Sequence, residues 1–216
     1  DQRVVAAQGD GLAAAKTLHQ HADELAHARV VDAGHLREVD DDLVARWTAF
    51  AENGGHLVLT CRTGQKDRNG HLREAAWAGP LRPLVGAGVE FFDCLLDNGR
   101  GVVKMGEEAF GWKTWADVLA PSAGAGTEVL ARYADQFYAG KAAAVTRRLG
   151  KGSVTYIGAD SLDGALERRV LEAVYERAGV AVESYPPGLY VEWRDGFFVA
   201  VNYASDPVSV PLPAGA

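Results

Sequence analysis

The first element to read clearly from the spacing of apolar and polar positions is a helix just before residue 55. Leu43, Trp47 and Phe50, with Val44 and Ala51, fall on one face at helical spacing. Asp40, Asp41 and Asp42 stand at its start, where carboxylates cap orphan N–H groups and complement the helix dipole. Asn53-Gly54-Gly55 predicts a left-handed C-cap. The run HLVLT at 56–60 follows with no polar break, the pattern of a strand buried on both faces. A shorter apolar run, RVVDA at 29–33, precedes the helix. Strand, capped helix and strand together predict a right-handed βαβ crossover.

The rest of the chain fills in around that unit. Residues 3–7 predict a short strand, broken at Gly9 to Gly11, and the Ala- and Leu-rich stretch 12–27 predicts a helix. His19, His21 and His27 lie on it and read as surface histidines, because residues two apart face different sides of a helix. Residues 62–78 form a long polar loop, a length that ordinarily serves function or an interface. Gly79-Pro80 opens a short helix, VEFFD follows as a strand, and 101–105 is another. A short helix is expected near Thr114–Leu119. Strands are expected at 127–134, 142–150 and 153–159, the last two joined by a tight turn at Gly150-Lys151-Gly152. Residues 162–178 predict an amphipathic helix with Leu166, Val170, Val174 and Ala178 on one face, ended by Gly179.

The character changes at Tyr185-Pro186-Pro187-Gly188. LYVEW, a turn at Asp195-Gly196 and FFVAVNY predict a hairpin, and VSVPLP a further strand. This divides the chain into an α/β domain over 1–186 and the opening of a small all-β domain over 187–216. The second piece is too short to close a sandwich or barrel alone.

Composition narrows the function classes. Of 216 residues, 48% are hydrophobic and 24% charged, so a core forms without disulfides or structural metal. A net charge of −7 with no compensating basic cluster argues against a nucleic-acid partner. No run reaches the roughly 18 apolar residues of a membrane helix, and the N-terminus lacks the basic start and apolar stretch of a signal peptide. A cytoplasmic setting is expected. Both ends look cut, which suggests a piece of a longer polypeptide. Cys61 and Cys94 are too few for a four-ligand zinc site and, lying in or beside apolar runs, read as buried small hydrophobes.

Candidate chemistry is sparse. The chain carries no GxSxG elbow, HExxH, Walker loop or GxGxxG after a strand, and GQKDRNG neither precedes a good helix nor ends in GK[ST]. Cys61 ends a buried strand, where an α/β nucleophile can sit, with His56 or His71 as a conceivable base. The chain then runs into a loop, not the helix whose N-terminus would lower a thiol pKa. Among the acidic residues, Asp67, Glu74 and Asp93 read as loop or cap residues. Trp77, Trp112, Trp115 and Trp193 raise the alternative of stacking on a sugar.

One long ordered series carries a resemblance. It comprises Gly54-Gly55, Thr60, Thr63-Gly64, Asp67 with Asn69, Gly79-Pro80-Leu81-Arg82 and Val89-Glu90-Phe91-Phe92-Asp93. It continues through Trp115-Ala116-Asp117, the stretch 128–159, Arg177-Ala178-Gly179 and the tail GFFVAVNYASDPVSVPLP. The series resembles the middle domain of bacterial β-galactosidases of glycoside hydrolase family 42, with the start of their small C-terminal β domain. Cys61 departs from the pattern, standing where members often have an aromatic residue.

The resemblance implies a flavodoxin-like or class I glutamine amidotransferase-like three-layer α/β fold. It implies a homotrimer, and a partner (β/α)8 barrel in the same polypeptide that hydrolyses terminal β-galactosides with two glutamates of its own. It therefore assigns this chain no catalytic residue, no cofactor and no metal. The loop with Arg62, Asp67, Arg68, Asn69, Arg73 and Trp77 is the expected subunit contact, since Arg and Trp are favoured interface anchors. Two alternatives remain: an amidotransferase-like hydrolase using Cys61, and a carbohydrate-binding module.

Overall fold

A computed structural model of the chain describes residues 3–6, 28–32, 38–74, 79–96, 99–180, 185–186, 188–194 and 197–210, with side chains from residue 38 onward apart from 192–198. The expected helix at 12–27 with its three histidines, and Trp77, lie outside the described residues. The chain divides into two compact units, Asp1–Val180 and Ala181–Ala216.

The first unit is a mixed α/β fold dominated by a single sheet. One half of the sheet is parallel: β1 (Arg3–Ala6), β2 (Ala28–Asp32), β3 (His56–Thr60) and β9 (Gly152–Ile157) lie side by side in that order. Helix α1 (Asp41–Glu52) connects β2 to β3, as the strand–helix–strand pattern requires. Asp40 caps it, its Oδ1 accepting from the Leu43 N–H at 2.8 Å. Leu43, Trp47 and Ala51 are buried, one per turn, and Val44 and Phe50 flank them. Gly54 turns the chain away from the helix at a φ of 112°, a conformation that L side chains avoid.

The other half is antiparallel. β8 (Ala142–Leu149) pairs with β9 across the Gly150–Lys151 turn and with β7 (Thr127–Tyr133) on its other side. β5 (Gly101–Met105) joins β7 to the long strand β6 (Glu108–Pro121). β6 also bridges to β8 through Leu119 and Ala142, so β5, β7, β8 and β6 close a circuit. β4 (Ala87–Asp93) and β10 (Ala159–Ser161) pair with β6 as well, and α2 (Arg82–Val85) enters β4 through Gly86.

Strand alternation distributes the core over both faces. Leu57, Leu59, Val154 and Tyr156 pack with α1 and α2, while Val58, Ile157, Ala143 and Ala144 pack with α3 (Ala165–Ala178). Leu166, Val170 and Val174 are the buried face of α3, as the spacing predicts. The central strands also bury two threonines, Thr146 and Thr155, whose hydroxyls bond to each other at 2.9 Å.

Three expectations are corrected. Thr114–Leu119 is not helix but the second half of β6, which pairs with β4 on one side. Non-glycine Thr114 sits at a φ of 67°, which shifts the side-chain alternation and hides the strand pattern. Cys94 is exposed, because the chain leaves the sheet after Asp93. Of the expected strand VSVPLP, residues 208–210 are not strand, and 211–213 lie outside the described residues.

The second unit contains the expected hairpin. β11 (Leu189–Arg194) and β12 (Phe197–Asn202) pair from Leu189↔Asn202 to Arg194↔Phe197. Asn202 then organises the following turn: its Oδ1 accepts from the Ala204 N–H and its amide donates to the Asp206 carbonyl. Tyr190 and Tyr203 meet edge to face at 5.4 Å.

Candidate functional site

Two places concentrate polar side chains in the first unit, and both begin at the end of β3. There the chain passes Cys61 and places Arg62 at a φ of 69°, in the left-handed region. The Arg62 N–H then points back into the protein and donates to Asp117 Oδ2 at 3.0 Å. Its guanidinium lies over the Trp115 ring, 4.6 Å from the centroid, and Trp115 stacks on Phe92 at 4.5 Å.

Asp117 is the centre of the first place. It is 0% exposed, on β6. Tyr156 donates to Oδ2 at 2.7 Å and Trp115 Nε1 donates to Oδ1 at 2.8 Å. The Asp117 backbone is equally engaged: its N–H donates to the Gly158 carbonyl at 2.7 Å, and its carbonyl accepts from the Tyr133 hydroxyl at 3.0 Å. Gly158 is required here, since a Cβ at that position would lie 2.4 Å from the Asp117 carbonyl oxygen. Burial pushes the Asp117 carboxyl above its ordinary value, against the pull of its three donors. The sequence marks Asp117 only as part of a motif. A lone carboxylate inside the apolar run Ala116–Ala120 was the available signal.

Cys61 lies beside this junction, 1% exposed. Burial first, then the charges of Asp117, Asp160 and Glu167, push its thiol well above the ordinary value, with Arg62 opposing. A thiol held protonated is a poor nucleophile. His56 does not reach it. His56 begins the strand that Cys61 follows, about 16 Å away at ~3.3 Å per residue, and bonds Ser153 Oγ. His71 is on the loop against Asp67.

The second place is the turn Lys66–Arg73. Asp67 Oδ1 accepts from the N–H groups of Asn69 and His71 at 2.8 and 3.0 Å. The His71 bond leads the effects that hold the Asp67 carboxyl below its ordinary value. Arg68 reaches the helix-capping Asp40 at 3.0 Å, and the Arg73 guanidinium donates to the Val39 carbonyl. Thus Asp67, Arg68, Asn69 and Arg73 share one turn docked on the start of α1. Arg62 belongs instead to the Asp117 junction. The tip stays open: the Arg68 side chain is 68% exposed and Leu72 is 66% exposed.

Of the tryptophans considered for sugar stacking, Trp112 is fully buried and Trp115 lies between Arg62 and Phe92. Among the described residues no group of three or more His, Cys, Asp or Glu is placed to hold a metal ion. No helix among them is long and apolar enough to cross a membrane.

The first unit thus combines a helix-covered mixed sheet, a sealed thiol and an exposed, internally braced turn. The sequence pattern of the β-galactosidase trimerisation domain matches residues 15–182, and the chain belongs to that family, a part of the glycoside hydrolase family 42 β-galactosidases. β-Galactosidase BgaH of Haloferax lucentense is 37% identical over 187 residues, covering 85% of this chain and 27% of that protein. β-Galactosidase Bga of Halorubrum lacusprofundi is 32% identical, covering 88% of this chain and 28% of that protein. The solved β-galactosidase from Halorubrum lacusprofundi superposes with a TM-score of 0.77 over 86% of this chain and 27% of that one, at 32% identity. That from Rahnella sp. R3 superposes with a TM-score of 0.75 over 83% and 28%, at 26% identity. The chain thus spans just over a quarter of the relatives it matches. The Cys61 hydrolase and the carbohydrate-binding module are not favoured.

Proposed function

We propose that this chain gathers copies of a cytoplasmic β-galactosidase into a homotrimer, and that hydrolysis of terminal β-galactosides takes place in a (β/α)8 barrel of the same polypeptide. The observation that carries the reading is the match to a trimerisation domain along residues 15–182. The protonated, enclosed Cys61 agrees with a domain that assembles and does not itself catalyse. In this reading the parallel half, β1–β2–β3–β9 with helices on both faces, is a flavodoxin-like or class I amidotransferase-like frame whose nucleophile position has become structural. The unit from about residue 187 is the start of a small β domain.

The loop with Arg62, Asp67, Arg68, Asn69, Arg73 and Trp77 is the subunit contact. Support comes from its open tip, braced by Asp67 and Asp40, which lowers the entropy lost on docking. Sedimentation equilibrium tests the reading: the 23.0 kDa chain is expected at three times its mass, with no hydrolysis of a chromogenic galactoside. A monomer at all concentrations, or galactosidase activity in the chain alone, overturns it.

A further inference from the structure

Exposed apolar side chains in the first unit gather at one place. Among its described residues the large ones are Leu72, Phe92, Leu96 and Phe137. Leu72 is on the loop that leaves β3, Phe92 and Leu96 stand where β4 ends, and Phe137 stacks on Phe91 of that same strand at 5.5 Å. β4 is also an outer strand, with β6 its one partner among the described strands. Its start is covered, since Ala87 and Val89 are buried together with Leu84 and Val85 of α2. Single apolar side chains on a surface need no explanation, but a group of them around one uncovered strand end marks a contact site.

The centre of this surface is the stack of Arg62, Trp115 and Phe92. Phe92 stands opposite Asp117 in the register of β4 and β6, and Trp115 is two residues from Asp117, so these side chains share one face. The buried Asp117 carboxylate holds the stack from beneath, accepting from Trp115 Nε1 through one oxygen and from the Arg62 N–H through the other. Above it Phe92 keeps 42% of its surface exposed. Leu96 is placed as firmly. Its carbonyl accepts from the Gly99 N–H at 2.9 Å, and Leu95 packs inward on the core, which leaves Leu96 83% exposed. Interface centres are built from aromatic and arginine side chains of this kind, with little freedom left to lose.

What adjoins the surface identifies its occupant. Arg62 is the first residue of the loop read above as the subunit contact, so stack and loop are continuous. A stable contact takes roughly 20–30 residues from each partner. The loop at 62–78 is shorter than that and must be joined by neighbouring surface. All of these residues fall within 15–182, the stretch that matches a trimerisation domain. A closed trimer joins two different surfaces of each copy, so this one need not match itself.

We propose that the Arg62–Trp115–Phe92 stack and Leu96 form the apolar centre of the subunit contact, seated against a second copy of this chain. The proposal rests on the oligomerisation reading and carries the contact beyond the loop onto the end of β4.

Cys94 lies between Phe92 and Leu96 and is exposed, so it reports on this surface in the unaltered chain. Its alkylation by iodoacetamide is expected to slow severalfold as the chain is concentrated from below to above the dissociation constant of the assembly. In sedimentation equilibrium, Leu96→Asp is expected to raise that constant at least about thirtyfold. Ala123→Asp adds the same charge at an exposed position beyond the other end of β4 and is expected to leave it unchanged. An assembled chain whose Cys94 still reacts at the dilute rate overturns the proposal, leaves the oligomerisation reading standing and gives this surface to another part of the polypeptide. Assembly that survives Leu96→Asp, or that Ala123→Asp weakens equally, overturns it as well. A parent chain that never assembles overturns both.

Discussion

The Tyr156 hydroxyl donates to the Asp117 carboxylate at 2.7 Å across 39 positions of sequence, and both side chains are shut off from solvent. The bond ties β9 in the parallel half of the sheet to β6 in the antiparallel half. Arg62 adds a third segment to the same oxygen.

Removing that hydroxyl leaves a buried carboxylate short of a donor. Tyr156→Phe is expected to destabilise the first unit by about 1.5–3 kcal/mol, the usual range for a bond to a charged group. Urea unfolding followed by tryptophan fluorescence measures it. A midpoint equal to that of the parent chain would count against a structural role for the junction.

Asp117 also sets a pH dependence. Burial raises its native pKa above the unfolded value near 3.8, so the native state holds this proton to higher pH than the unfolded chain. Between the two values the native state binds more protons, and this group's contribution to stability falls as pH rises. Unfolding free energies of the parent chain and Asp117→Asn, compared across stepped pH, are expected to differ by an amount that declines through that window and then levels. A difference that grows with pH contradicts the assignment.

The two thiols separate by access. Iodoacetamide is expected to label Cys94 in the native chain and both cysteines only in denaturant, because Cys61 is buried and its thiol stays protonated. Peptide mass mapping reads the outcome directly. Native labelling of Cys61 at a rate matching Cys94 would revive it as a reactive group.

Asp40 serves two partners at once, capping α1 through Oδ1 and holding Arg68 through Oδ2. Asp40→Ala is expected to cost about 1 kcal/mol from the lost cap. It is also expected to speed amide exchange at Asn69 and Gly70, whose turn loses its brace. Unchanged exchange there would mean that Arg68 does not brace the turn.

Much of this fold is written locally. Asp40 to Thr60 carries its cap, stripe, stop and buried strand in consecutive residues, and Gly150–Gly152 carries its turn chemistry. What is not local is harder to read. β6 reads as partly helical in sequence because Thr114–Leu119 shows neither clean alternation nor a clean helical stripe; the left-handed Thr114 and the inward Asp117 both break the pattern. Asp117 gains its meaning only from Arg62 and Tyr156, which are 55 and 39 positions distant. Cys94 sits in an apolar-looking run, yet the sheet ends one residue earlier. The loop is legible as a surface feature, but its division between an Arg62 backbone bonded to Asp117 and an open Arg68 tip depends on the neighbouring strands.

The pairing of β3 with β9 has a consequence for the order in which the protein forms. His56 lies opposite Ser153, 97 positions on, so β3 gains its second neighbour only after most of the unit has left the ribosome. Until then the apolar strand at 56–60 has one open edge. Closing so long a loop before any reward from pairing slows folding. During that interval the nascent chain is most exposed to pairing with the wrong partner.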